Sequence, residues 1–427
     1  MPILSNSLLR HYNPLKIVAT AVCVASLLVG CESTEENEEL RIAELKPFNI
    51  TRHVEVEWRE HPGDGVENYF SNLRPAVTEE RIFTASRDGE VIALSAKDGD
   101  EIWRTDTRKK PPTWWTKIRM KSVPSAKLSG GITAAYNNLY IGTENGDVIA
   151  LSQETGEVLW QTRVTGEVIS APGWGEGWIT VSTTSGHVSA LHPDSGEIRW
   201  EAETDTPALT LRGTSTPSVT GGGVLVGTAT GKLKVFILDG GIPAWEAVIG
   251  KSKGTTELEK LIDADSQPIV ANQVAYAVAY NGNLAAVDVL SGRILWQREY
   301  SSYRNLTYDN DMLYLTDAKG NIVAVDAKNG IEKWTQSEFY NRRLTQPVVY
   351  KDTLVVGDYE GYFHFVDKKT GELVSRFKLD DIDYSAVRWF ISWFTSEDRT
   401  AYTAPVVRGD LLYIQTRDGE VTALRLP

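Results

Sequence analysis

Asp88–Trp103 reads DGEVIALSAKDGDEIW, and variants of this phrase return along the whole chain. Asn145–Trp160 is NGDVIALSQETGEVLW, Ser185–Trp200 is SGHVSALHPDSGEIRW and Thr230–Trp245 is TGKLKVFILDGGIPAW. Asn281–Trp296 is NGNLAAVDVLSGRILW and Lys319–Trp334 is KGNIVAVDAKNGIEKW. Glu360–Ser375, EGYFHFVDKKTGELVS, is a seventh copy, and Asp418–Pro427, DGEVTALRLP, is the first half of an eighth. Within each copy a polar-Gly pair supplies the positive φ of a tight hairpin. An alternating β-branched run follows, then a second Gly turn, then an outer strand carrying Trp. Upstream of each phrase stands another hairpin half, such as Leu139–Thr143. A short strand precedes that, opened by Pro at 75, 172, 217, 268, 347 and 405. Four antiparallel strands repeated eight times predict an all-β fold, an eight-bladed β-propeller. A string of separate sheets would instead leave many open edges.

The eighth copy lacks its Trp strand, while His53–Trp58 (HVEVEW) is an outer strand without a unit of its own. Pairing it with residues 402–427 completes the eighth blade from both termini and closes the ring. Ala stands four residues after the first Gly in six copies, at 93, 150, 190, 286, 324 and 423. A small residue there leaves room for an indole between neighbouring blades. The exceptions are Val235 and Phe365, and Phe365 belongs to the unit whose Trp position is Ser375. A ring at 365 is expected to fill the volume that the missing indole vacates.

The first 30 residues have the form of a secretory signal: Arg10 and Lys16 precede an apolar run, Ile17 to Val29, too short to span a bilayer comfortably. Leu28-Val29-Gly30-Cys31 reads as a lipobox, in which the Cys31 thiol takes a diacylglycerol and the leader is cut away before it. Glu32 follows, so outer-membrane sorting is expected. The organisation is thus a signal peptide over 1–30, a lipidated tether over 31–52 and a propeller over 53–427. Cleavage leaves 42 Lys plus Arg against 57 Asp plus Glu, a balance of −15. That opposes nucleic-acid binding, which needs a basic face, and leaves membrane attachment to the lipid. The two cysteines are Cys23 in the leader and Cys31 at the anchor. The propeller therefore has no thiol for a disulfide, a metal or a nucleophile. The six histidines make no HExxH and no close pair, and no cofactor is expected.

Length variation collects between the Trp of one unit and the first Gly of the next. These gaps are 24, 26 and 27 residues in the tightest units but 43 after Trp103, 31 after Trp200, 37 after Trp245 and 44 after Ser375. In a four-stranded meander the outer strand ends on the face where the next inner strand begins, so the inserts and the polar-Gly turns share one face. Two adjacent inserts are chemically suggestive. Pro207–Gly213 (PALTLRG) presents Leu209, Leu211 and Arg212. Lys253–Asp265 (KGTTELEKLIDAD) holds a short helical turn at Glu257–Ile262 and ends on Asp263 and Asp265. Apolar side chains and an Arg beside two acids have the composition of a protein-binding hot spot. The alternative is leucines tucked under their own loops and acids capping turns. Aromatic runs at Lys109–Trp115 and Val387–Phe394 suit a second contact, a lid, a membrane-surface foot or packing across the pore mouth.

The phrase A-(L/V)-(S/D)-x-x-x-G-x-x-x-W resembles the repeat of pyrroloquinoline-quinone-type propellers. With the lipobox, Thr206–Gly213, Ala277–Leu284 (AVAYNGNL) and Val355–Tyr362 (VVGDYEGY), the mature chain is similar to the BamB family, lipoproteins of the outer-membrane β-barrel assembly machinery. The resemblance implies a scaffold whose insert-bearing face binds the periplasmic POTRA domains of BamA, chiefly the third. The implied contacts are Leu209, Leu211, Arg212, Asp263 and Asp265. The inserts at 105–131 and 376–402 are longer and richer in Trp than the family pattern. Contact with nascent outer-membrane barrel proteins, by strand addition at a blade edge, is a further expectation. The competing class is a quinoprotein dehydrogenase. Such enzymes resemble one another in using adjacent cysteines against the quinone, and this body offers none. An adaptor for another envelope complex shares the anchor and the propeller.

Overall fold

The computed structural model describes residues 41–69, 71–108, 123–207, 209–250, 256, 260–379 and 400–427. Residues 42–427 form one compact unit of eight antiparallel sheets. The third blade shows the pattern: Gly173–Gly175, Trp178–Ser182, His187–Leu191 and Ile198–Glu203 pair in chain order from the inside outward. The prolines at 172, 217, 268, 347 and 405 each stand immediately before an innermost strand, where a missing N–H costs no ladder bond. The second blade carries one addition that the repeat did not show. Asn72–Leu73 pairs parallel to Leu128–Ala135 as a fifth, innermost strand.

Closure occurs as the half-repeats require. Glu55–Glu60 pairs antiparallel with Val421–Arg425, completing the eighth blade as its outer strand. Every blade has a register shift in its outermost pair, one residue before the Trp position. A bulge there adds twist and re-aims the side chain that follows it. The Trp then reaches across to the next blade. Trp200 donates from Nε1 to Leu238 O at 2.7 Å, and its ring covers Gly241, where a Cβ would meet the indole at 2.4 Å. Trp58, Trp103, Trp160, Trp245, Trp296 and Trp334 repeat this link onto the carbonyls of Ala96, Gln153, Pro193, Val289, Ala327 and Lys368. The second-turn glycine of each phrase is therefore a floor for the preceding blade's indole as well as a positive-φ residue.

The small residue expected beneath each indole is its direct cross-strand partner: Ala93 faces Trp103, Ala150 faces Trp160 and Ala324 faces Trp334. In the seventh blade the same pair is Phe365 and Ser375, so the ring has moved one strand inward. Phe365 is fully buried and packs with Leu412, Leu424 and Leu426 of the eighth blade. Topology explains the exchange. The eighth blade takes its outer strand from Glu55–Glu60, so it has no hairpin to supply a glycine floor. The carbonyl equivalent to Lys368 O is Leu426 O, which already accepts from Lys351 Nζ at 2.9 Å.

Residues before Glu55 also brace the seventh blade. Ala43 N donates to Tyr340 O and Thr51 N to Val374 O, both at 3.0 Å. Arg342 and Arg376 donate to the carbonyls of Ala43 and Lys46. Beneath this strap lies a buried network. Asp358 accepts from Arg342 Nε at 2.7 Å and sits 3.0 Å from His364 Nε2. Burial works against the Asp358 carboxylate, but His364 and Arg342 outweigh it and hold it below the ordinary range.

Candidate functional site

The loops entering blades four and five lie side by side on the face that carries the polar-Gly turns. Leu209 is 49% exposed, Leu211 is half-buried and Arg212 is exposed. Gly213 N donates to Leu211 O at 2.9 Å, a tight turn that lifts Arg212 outward. The far end of Arg212 is held: Nη2 lies 3.5 Å from Glu144 and 3.7 Å from Glu167. Glu144 is itself fixed by two bonds from Arg87, at 3.0 and 2.8 Å. Arg212 thus spans the third blade to reach the turn of the second. Half its side chain faces solvent, so the ion pairs orient it at small net gain.

The two acids occupy a different position from the surface contacts that their sequence suggested. Asp263 is 1% exposed, and Asp265 is half-buried. Backbone pairing of Asp263 with Tyr280 fixes the loop, with Tyr280 N donating to Asp263 O at 2.7 Å. Asp265 presses on the blade-four loop so closely that a Cβ on Gly213 would lie 1.8 Å from its Oδ2. Ser215 Oγ donates to Ser266 O at 2.9 Å and completes the lock between the loops. Burial raises the Asp263 carboxyl to about 6. Burial first, then the neighbouring Asp263, raises Asp265 well above the usual carboxylate range. The acids therefore set the shape of the loop that presents Leu209, Leu211 and Arg212. Of the expected helical turn at Glu257–Ile262, residues 257–259 lie outside the described residues. Lys260 N donates to Thr256 O across them at 3.0 Å. Cys31 and the aromatic runs Lys109–Trp115 and Val387–Phe394 also lie outside the described residues.

The sequence reading missed the residues supporting Arg212. Their signal was the position just before each polar-Gly turn, where Arg87 and Glu144 stand in adjacent blades. It also missed the chamber at the mouth of the central channel, about 570 Å³, walled by Leu211, Asp265, Tyr303, Arg304 and Tyr402 among others.

An eight-bladed ring with inter-blade Trp links and a loop-built patch on one face defines a propeller of the quinoprotein type. Residues 41–168 match the family model for the glucose/ethanol/alcohol dehydrogenase β-propeller domain, and residues 112–336 match that for outer membrane protein assembly factor BamB. Two relatives carrying that second name are 41% identical, from Alteromonas naphthalenivorans, and 34% identical, from Escherichia coli K12. Each alignment covers 96% of this chain, and 96% and 98% of the respective relative. The crystal structure of BamB from Moraxella catarrhalis superposes with a TM-score of 0.72 at 24% identity, covering 87% of this chain and all of that one. A europium-containing methanol dehydrogenase shares the fold at a TM-score of 0.64 and 13% identity, covering 87% of this chain and 93% of that one. The chain belongs to the BamB family of outer membrane protein assembly factors.

Proposed function

We propose that the chain is a non-catalytic scaffold, lipid-anchored through Cys31 on the periplasmic face of the outer membrane. In this reading it binds the periplasmic POTRA domains of BamA and assists folding and insertion of barrel proteins. Leu209, Leu211 and Arg212 make the contact, and Asp263 and Asp265 set the loop from below. The observation that carries the reading is the interlock of the two loops, with apolar side chains and a pre-oriented Arg outside and the acids inside. Such a surface loses little conformational entropy on binding. Tethering to the partner's own membrane raises the effective concentration, so a modest interface suffices. Nascent barrel strands are a second class of client, taken up by strand addition at a blade edge. Crosslinking from a blade edge to unfolded barrel protein tests that part, and no crosslink under saturating substrate refutes it.

The test is a pull-down from detergent-solubilised envelopes with wild type and a Leu211→Ala, Arg212→Ala variant whose folding is checked by circular dichroism. The expected result is a large β-barrel partner retained by wild type and lost by the variant. No such partner with wild type refutes the function. Equal recovery by both keeps the function and removes this patch as its site.

A further inference from the structure

We propose that the channel mouth on the insert-bearing face is a binding site for a small oxyanion carrying two or more negative charges, held by Arg74 and Arg304. The chamber is walled by the loops entering blades one, three, four, five, six, seven and eight. Its volume, about 570 Å³, lies within the roughly 300–1,000 Å³ usual for small-molecule sites. Among the described residues four charged side chains line it: Arg74, Arg212, Arg304 and Asp265. Arg212 is committed to Glu144 and Glu167. Asp265 is turned against Gly213. Among the described residues Arg74 and Arg304 meet no carboxylate.

Two enclosed arginines elsewhere in this ring meet carboxylates. Arg342 meets Asp358 and Glu360, and Arg87 meets Glu144 in a two-bond fork. Arg304 instead donates once, from Nε to Leu344 O at 3.1 Å, and lays its face on Tyr303. Among the described residues the Arg74 guanidinium has no hydrogen-bond or ion-pair partner. Burial lowers the pKa of both groups; at Arg304 the Tyr303 hydroxyl opposes it, and among the described residues no carboxylate does. A partly buried cation without a counter-charge is costly, and two of them facing one chamber in an acidic chain call for a ligand of opposite sign. Neutral donors add to the case. Asn305 accepts the Gln267 N–H through Oδ1, leaving its amide hydrogens free. The hydroxyls of Thr214 and Thr403, both in the chamber wall, are buried without a partner. Guanidinium forks, an amide and hydroxyls are the donor set that carboxylate or phosphate oxygens accept.

Titration calorimetry at low ionic strength on the detergent-solubilised full-length lipoprotein tests the proposal, with citrate and inorganic phosphate as probes. Wild type is expected to bind one equivalent. An Arg74→Gln, Arg304→Gln variant is expected to bind at least about tenfold more weakly, while Arg163→Gln, on an exposed outer strand, is unchanged. The probe should raise the melting temperature of wild type and leave that of the double variant in place. Tighter binding of citrate assigns a polycarboxylate, and tighter binding of phosphate assigns a phosphate. If the double variant does not fold, the single Arg74→Gln substitution must show the weakening. No saturable binding of either probe up to about 10 mM, or equal binding by wild type and variant, overturns the proposal.

Discussion

Phe365→Ala tests whether the seventh blade replaces a Trp link with a buried ring. Phe365 is 0% exposed and sits among Leu412, Leu424 and Leu426 of the next blade. Truncating such a ring costs about 3–5 kcal/mol. Unfolding entropy near 2.1 cal/mol/K per residue, over a ring of about 375 residues, makes roughly 0.8 kcal/mol/K. The melting temperature should therefore fall by about 4–6 °C. Val235 holds the same register position opposite Trp245. Six blades place Ala there under an indole, so Val235→Ala should cost only about 1–2 kcal/mol, a fall of roughly 1–3 °C. Adding Ser375→Trp to Phe365→Ala should recover less than half of the loss. An indole at 375 has no glycine floor, and its acceptor, Leu426 O, is taken by Lys351. Differential scanning calorimetry of the four proteins decides the matter. Equal falls for Phe365→Ala and Val235→Ala refute the exchange, and full recovery with Ser375→Trp refutes the account of the missing floor.

Four further outcomes are expected. Trp200→Phe removes the donor to Leu238 O and should lower stability by about 1–3 kcal/mol, read as a lower urea midpoint at unchanged slope. Gly213→Ala places a Cβ within 1.8 Å of Asp265 Oδ2; it should cost about 1–3 kcal/mol and reduce partner recovery in the pull-down, and unchanged recovery counts against the loop lock. The Asp263 carboxyl is raised to about 6 when folded against 3.8 as its ordinary value, so the folded protein holds protons that the unfolded chain has lost. Its stabilising contribution is full below about pH 4 and falls by about 2–3 kcal/mol as pH rises through 6, and Asp263→Asn should flatten that decline in denaturant titrations. Asp358, held low, acts with the opposite sign: its contribution is present above about pH 4 and is lost in acid.

The fold was legible because the repeat states each local instruction eight times. Hairpin glycines, alternating runs and strand-opening prolines agree with one another, and such agreement marks a specified fold. The closing strand was expected at His53–Trp58 and lies at Glu55–Glu60, a shift within the usual uncertainty of strand ends. The Ala beneath each Trp was also readable, since register carries a sequence offset directly into a cross-strand pair. The patch was half legible. Loop lengths found two inserts that pack against each other, and Leu209 and Arg212 are exposed as the composition suggested. The burial of Asp263 was not, because its cause is a backbone bridge to Tyr280, in a turn that no local pattern links to the insert. Arg74 and Arg304 were missed for a similar reason. Each stands beside an inner strand in an ordinary loop, and only closure of the ring brings them to one chamber.

The same geometry explains why one face of this ring can vary while the rest stays fixed. Outer strands carry the bulge and the Trp, and second turns carry the glycine floor, so a change at those positions breaks a link between two blades. The loops between Trp and the next polar-Gly turn bear no such link. They can lengthen at low entropic cost, as the gaps after Trp200 and Trp245 have done. Two lengthened neighbours can then brace each other, as Gly213 and Asp265 do. The two acids bind the pair from below, both with carboxyls raised above the usual range, and Glu144 and Glu167 on the adjoining turns hold Arg212 in place. A rigid, outward-facing Leu-Arg surface follows from ring topology combined with two insertions, and it needs no departure from the blade repeat itself.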